Sequence, residues 1–140
     1  MLRIVVQVEP FDVAAELQML TAGRVDVGAI ASFIGLVRDV NQVADQQNPV
    51  AGLHLEHYPG MTEKALQTIA QQATERWFLQ GVSIIHRIGD LVPSDPIVLV
   101  LSAAQHRQAA FAACEYMMDQ LKTEAPFWKK ETMPDGKAYW

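Results

Sequence analysis

Cysteine is nearly missing from this chain: Cys114 is the sole one among 140 residues. That excludes an internal disulfide and any cysteine-cluster metal site, and it suits a reducing cytoplasm. Positive charge is also in deficit, with 11 Lys+Arg against 16 Asp+Glu and a net charge of −5. A general nucleic-acid binder needs a basic surface to neutralise phosphates, so that class is excluded. Any anionic ligand has to be met by a few placed cations. Long apolar runs are absent as well, and nothing approaches the roughly 20 residues that span a bilayer. The run Leu2 to Val6 is too short for a signal-peptide core and lacks a small-residue cleavage site. No membrane segment is expected, and the reading is a soluble, cytoplasmic protein.

What is present is enough for a folded domain. Half of the residues are hydrophobic and 19% are charged, so the chain can bury a real core. The 7 prolines and 8 glycines are scattered rather than gathered into a linker, and residues 1–140 are expected to form one domain. Ile4 to Val8 is β-branched and ends before Pro10, as a strand does. Asp12 is placed to cap a short helix carrying Val13, Leu17 and Leu20 at helical spacing. Val27 to Ile34 reads as a buried strand ending at Gly35. From Arg38 to Pro49 the composition turns polar, which predicts an exposed, mobile loop.

Leu53 to Tyr58 alternates apolar and polar residues, the pattern of a half-buried strand, and Pro59-Gly60 ends it. The spacing of Ala65, Leu66, Ile69, Ala70, Ala73 and Trp77 predicts a helix over 62–77. Two further strands, Val82 to Ile88 and Ile97 to Ser102, are separated by the turn-rich run from Gly89 to Pro96. A second long helix is expected from Gln105 to Lys122, stopped by Pro126. Phe127 to Trp140 reads as a hairpin turned at Pro134-Asp135-Gly136. Strands and helices do not alternate as a doubly wound fold requires. The expectation is an α+β fold with a mostly antiparallel sheet and two long helices.

Four places set charge beside structural punctuation. Arg38 follows a strand at the mouth of the polar loop, as either a solvated side chain or an anion clamp. His106 and Arg107 open the second long helix, whose free N–H groups and dipole favour an anion. Cations there oppose the dipole, which points to a ligand. Lys122 lies in the last turn of that helix, where a lysine is favourable on dipole grounds alone. Phe127-Trp128-Lys129-Lys130-Glu131 places two lysines beside aromatic rings, and a lysine with a lowered pKa can move a proton or attack. Competing sites are weaker. His54-Leu55-Glu56-His57 resembles a metal-ligand cluster, but strand alternation sends His57 to the opposite face, so no metal is expected. Cys114 sits on an apolar helical stripe, where a buried thiol is core more often than nucleophile. His86-Arg87 has no evident role beyond sheet packing.

Read in order, these segments resemble the molybdopterin synthase catalytic (large) subunit family. The matching stretches are Gly28-Ala29 through Gly35-Leu36-Val37-Arg38-Asp39, then Leu55-Glu56-His57-Tyr58-Pro59-Gly60-Met61-Thr62-Glu63-Lys64-Ala65. They continue with Ile85 to Gly89, Ser102 to Arg107, and Leu121-Lys122-Thr123 through Ala125-Pro126-Phe127-Trp128-Lys129-Lys130-Glu131. The resemblance implies an α/β-hammerhead fold and a sulfurtransferase that converts cyclic pyranopterin monophosphate to molybdopterin. It implies no cofactor, a small ubiquitin-like partner bearing a C-terminal thiocarboxylate, and a homodimer of large subunits within a heterotetramer. Lys122 and Lys129 are implied as catalytic, and Arg38, His106, Arg107, Lys130 and Glu131 as substrate-binding. Leu36 departs from the family, which usually has a basic residue there, and relatives usually continue past Trp140 with a charged tail. A binding module that docks the ubiquitin-like partner without turnover is the alternative. A generic phosphate-ester hydrolase ranks below both, for want of a nucleophile–base pair or metal set. His106 and Lys122 stand 16 residues apart on one expected helix, about 24 Å at 1.5 Å per residue. One small substrate cannot touch both ends, so the expected site joins His106 and Arg107 of one copy to Lys122 and Lys129 of another.

Overall fold

The computed structural model describes residues 1–43 and 46–140. Its first sheet is built from β1 (Leu2–Gln7), β2 (Ala29–Leu36), β6 (Gly81–Arg87) and β8 (Pro96–Ala104), in the order β1-β6-β8-β2. β1 runs parallel to β6, and the other pairings are antiparallel. Side chains alternate across this sheet and supply two cores. Val82 and Ile84 of β6, with Val98 and Val100 of β8, face α2 (Met61–Trp77) and α3 (Arg107–Glu124). Leu66, Ile69, Ala70, Ala113, Met117 and Leu121 of those helices fill that side. On the other side, Ile85, Leu99 and Leu101 meet Leu20 and Leu17 of α1 (Val13–Thr21). The small residues Ala70, Ala73, Ala110 and Ala113 let the two long helices lie close to the sheet and to each other.

Helix ends follow the sequence signals. The Asp12 carboxylate accepts the Ala15 N–H at 3.1 Å and caps α1. Gly60, at φ +86, turns the chain into α2, and the Glu63 carboxylate accepts its N–H at 3.1 Å. Gly28 passes so close to the connection before α3 that a Cβ there would lie 2.0 Å from the Gln105 carbonyl oxygen. Its own N–H donates to the Ala104 carbonyl at 2.9 Å.

The second sheet is antiparallel, in the order β10-β9-β5-β7, from β5 (Gly52–His57), β7 (Gly89–Leu91), β9 (Phe127–Thr132) and β10 (Ala138–Tyr139). Val37, Leu55 and Leu91 form a small core beneath it, with Leu53, Ile88 and Ile97 packed alongside. His86 and Arg87 are buried and structural. The His86 ring stacks on Phe127 at 3.9 Å between centroids, and its Nδ1–H donates to the Arg87 carbonyl at 2.7 Å. The Arg87 guanidinium donates to the carbonyls of Val8 and Pro96.

Two expectations are corrected. The polar stretch after Arg38 forms an antiparallel pair, β3 (Val40–Val43) with β4 (Gln46–Pro49), rather than a loop. Ala44 and Asp45, within the loop expected there, lie outside the described residues. Backbone pairing of the two arms supplies the order that composition does not. β2 is not a buried strand: it is the last of its sheet, and among its large residues Phe33, Ile34 and Leu36 are all exposed. The α+β class, the antiparallel bias, the two long helices and the terminal β9–β10 hairpin are as expected.

Candidate functional site

The predicted charged residues fall into three places. Where β2 ends, Leu36, Val37 and Arg38 line a recess of about 140 Å³ with Val40, Val50, Leu53, Ile97, Lys129 and Glu131. Period-2 alternation along β9 puts Lys129 and Glu131 on the same side of the strand, opposite Leu55 and Leu53 of β5. The Lys129 ammonium lies 3.6 Å from a Glu131 carboxylate oxygen. The lysine side chain is 63% exposed and the glutamate 15%, so the carboxylate is fixed in the wall while the ammonium reaches towards solvent. Such a half-exposed pair adds little stability, about 1 kcal/mol at most. It instead keeps the ammonium near a recess that Arg38 also lines. Leu36, where the resembling family usually carries a base, is an exposed apolar wall of this recess.

The second place lies earlier along β2 and shares no lining residue with the first. Ala31, Ser32 and Phe33 form one bank of a groove of about 420 Å³, and Phe111, Cys114, Glu115, Met118, Asp119 and Lys122 of α3 form the other. Lys122 stands in the last turn of α3 and Lys129 is the third residue of β9. The chain passes from one to the other through Ala125-Pro126. Cys114 is buried in this groove's wall, and burial pushes its thiol up to about 11. It is a protonated, unreactive thiol at neutral pH.

The third place is the far end of α3. His106 is the helix N-cap and Arg107 its first residue, and both are exposed. Neither lines the recess or the groove. With 18 residues, α3 carries its two ends about 26 Å apart. Lys130 is also set apart: alternation turns it to the other side of β9, with its ammonium 5.6 Å from the Trp140 ring. That outer side also carries His54, whose ring nitrogens lie 2.7 Å from Asp90 and 3.2 Å from Glu56. Those contacts, with Asp90 the larger, raise the His54 pKa. No group of three or more metal-ligating side chains occurs among the described residues.

One chain therefore brings together Arg38, Lys129 and Glu131 in a recess, and sets Lys122 in a separate groove. It does not bring His106, Arg107 or Lys130 to them. Sequence reasoning missed the apolar lining. Leu53 and Ile97 read as ordinary strand residues, Val40 fell in the expected loop and Val50 just after it, and only their convergence shows that they line one cavity. Phe33, expected in a buried strand, and Phe111 are exposed in the structure, and large apolar residues that stay exposed mark a contact face.

Comparison with known proteins gives the family of this fold. The family described as "MoaE protein" matches residues 6–124. A Vibrio cholerae protein named molybdopterin synthase catalytic subunit is 57% identical over 137 residues, covering 98% of this chain and 88% of that protein. The structure of the molybdopterin biosynthesis MoaE protein from Burkholderia ambifaria superposes with a TM-score of 0.84 at 52% identity, covering 100% of this chain and 88% of that one. The crystal structure of molybdopterin synthase from Staphylococcus aureus gives 0.82 at 33% identity, covering 99% and 96%. With the fold and nearly the whole length matched, the chain belongs to the MoaE protein family.

Proposed function

We propose that this chain is the catalytic subunit of a molybdopterin synthase, acting in the cytoplasm. It converts cyclic pyranopterin monophosphate to molybdopterin with sulfur from a thiocarboxylate at the C-terminus of a small ubiquitin-like subunit. The observation that carries this reading is the convergence of Arg38 and Lys129 on one apolar-floored recess, with Lys122 in a groove of the same chain, in a protein of net charge −5. Both reactants are anionic, and an acidic chain can hold them only through cations gathered at one place. Cys114, buried and protonated, is no sulfur carrier, which fits a donor that arrives on another molecule.

The roles follow from charge and position. Arg38 offers a planar fork suited to a phosphate or carboxylate. Lys122 steadies the negative charge that moves between sulfur and acyl oxygen as the C–S bond breaks, an oxyanion-type role. Lys129 acts on the pterin as acid or base, and Glu131 keeps its ammonium near the recess. His106 and Arg107 reach this site from a second copy of the chain, because α3 separates its own two ends by about 26 Å. The exposed apolar residues Phe33, Ile34, Leu36 and Phe111 give that second copy a face to cover. A homodimer carrying one small subunit per site is then a heterotetramer. Lys130, on the far side of β9, has no part in the recess and acts at most on the sheet's outer face.

Purified protein mixed with thiocarboxylated partner and the cyclic precursor tests the reading. Molybdopterin should form without added metal. Lys122→Ala should lower turnover by roughly 10²-fold or more, as expected for loss of an oxyanion donor, with partner affinity nearly unchanged. Turnover close to wild type in that variant would remove Lys122 from the mechanism.

A further inference from the structure

The position of Lys129 depends on where β9 begins. β10 pairs only with Thr132 and Glu131, at the far end of β9. Phe127, Trp128 and Lys129 have β5 as their one strand neighbour. The residue before them, Pro126, has no N–H, so its carbonyl is its one backbone polar group.

That carbonyl accepts the hydroxyl of Thr62 at 2.9 Å. The same oxygen of Thr62 accepts the Tyr58 N–H at 2.9 Å, and the Thr62 side chain is fully buried. One hydroxyl therefore ties the turn between β5 and α2 to the turn between α3 and β9. Nothing about the fold of α2 calls for a hydroxyl here. Its first turn is already closed by the Thr62 N–H to the Tyr58 carbonyl and the Lys64 N–H to the Gly60 carbonyl. The tie falls between the two lysines, after Lys122 and before Lys129. The Tyr58 and Trp128 rings, 5.7 Å apart, pack over the same junction.

We propose that Thr62 is a positioning residue for sulfur transfer: its paired hydrogen bonds set the start of β9, and so Lys129, against the end of α3 and Lys122. This rests on the function proposed above. Thr62 touches no substrate. Its hydroxyl fixes the geometry between two groups that must act on one reacting centre, and a displacement of about 1 Å there costs up to roughly 10²-fold in rate.

The test is single-turnover transfer of one sulfur atom to excess cyclic precursor, followed as conversion of the partner's thiocarboxylate to carboxylate, by the purified chain preloaded with thiocarboxylated partner, for wild type, Thr62→Val and Thr62→Ser. Valine keeps the shape and loses both hydrogen bonds, while serine keeps the bonds and loses a methyl group. In a single turnover the rate constant reports the geometry of folded sites and the amplitude reports how many are folded. The expected result is a rate constant lower by about tenfold or more in Thr62→Val, at near wild-type amplitude, and within about twofold of wild type in Thr62→Ser. Three results would overturn the proposal. Thr62→Val loses amplitude alone, or Thr62→Ser is as slow as Thr62→Val, or Thr62→Val fails to fold, which would make the hydroxyl a support of the whole fold. A wild-type chain that makes no molybdopterin refutes the function itself, and the role of Thr62 with it.

Discussion

Single residues divide between those that hold charge in water and those kept neutral inside. Lys129, Lys122, Arg38 and Arg107 are all exposed, which keeps their charge within reach of ligands, Lys129 beside Glu131. His86 is the opposite case. Burial, opposed by its bond to the Arg87 carbonyl and aided by the nearby charge of His57, lowers its pKa to about 4. The unfolded chain therefore binds a proton that the folded chain refuses between about pH 6.5 and pH 4. Stability from this group is complete above pH 6.5, falls as pH drops through that window, and levels off below it. The loss is about 3 kcal/mol in all. Denaturant midpoints measured from pH 7 to pH 4 should show the decline, and His86→Phe should flatten it. Because His86 stacks on Phe127, the same proton loosens the start of β9.

Elements explain what the sequence could and could not disclose. Period-3.6 stripes gave α2 and α3 to within a residue or two, since both helices bury one face against a sheet. Alternation gave β5, and the same rule applied to β9 separates Lys129 and Glu131 from Lys130 without any coordinates. The β3–β4 pair escaped because its polar residues carry no alternating apolar signal. β2 misled for a different reason. Phe33, Ile34 and Leu36 are as apolar as core residues, but burial depends on what lies beyond the last strand, which periodicity does not encode. Gly28 was visible only as part of a resemblance, and its reason is the 2.0 Å approach of a Cβ to the Gln105 carbonyl oxygen. Gly28→Ala must push β2 away from the residues that precede α3. It should cost roughly 1–3 kcal/mol or more, read as a lower thermal midpoint, and should disturb His106 and Arg107 more than Lys129.

At the scale of the whole molecule, the site is divided. One chain supplies a recess with Arg38, Lys129 and Glu131 and a groove with Lys122. It also carries His106 and Arg107 at the wrong end of α3 to serve them. The charged residues were legible from the resemblance, and the helix length, with the dimer that the resemblance implies, led to the expectation that they divide between two copies. The apolar surface along β2 and α3, with Phe111 67% exposed, is the face through which a second copy would complete the site. Subunit mixing tests this most directly. Arg107→Ala and Lys122→Ala chains, each inactive alone, are unfolded together, refolded and assayed with thiocarboxylated partner. If Arg107 of one copy serves Lys122 of the other, random pairing leaves about a quarter of the sites intact, and molybdopterin formation should return to about a quarter of the wild-type rate. Mixed dimers that form yet stay inactive would contradict a site built across two copies.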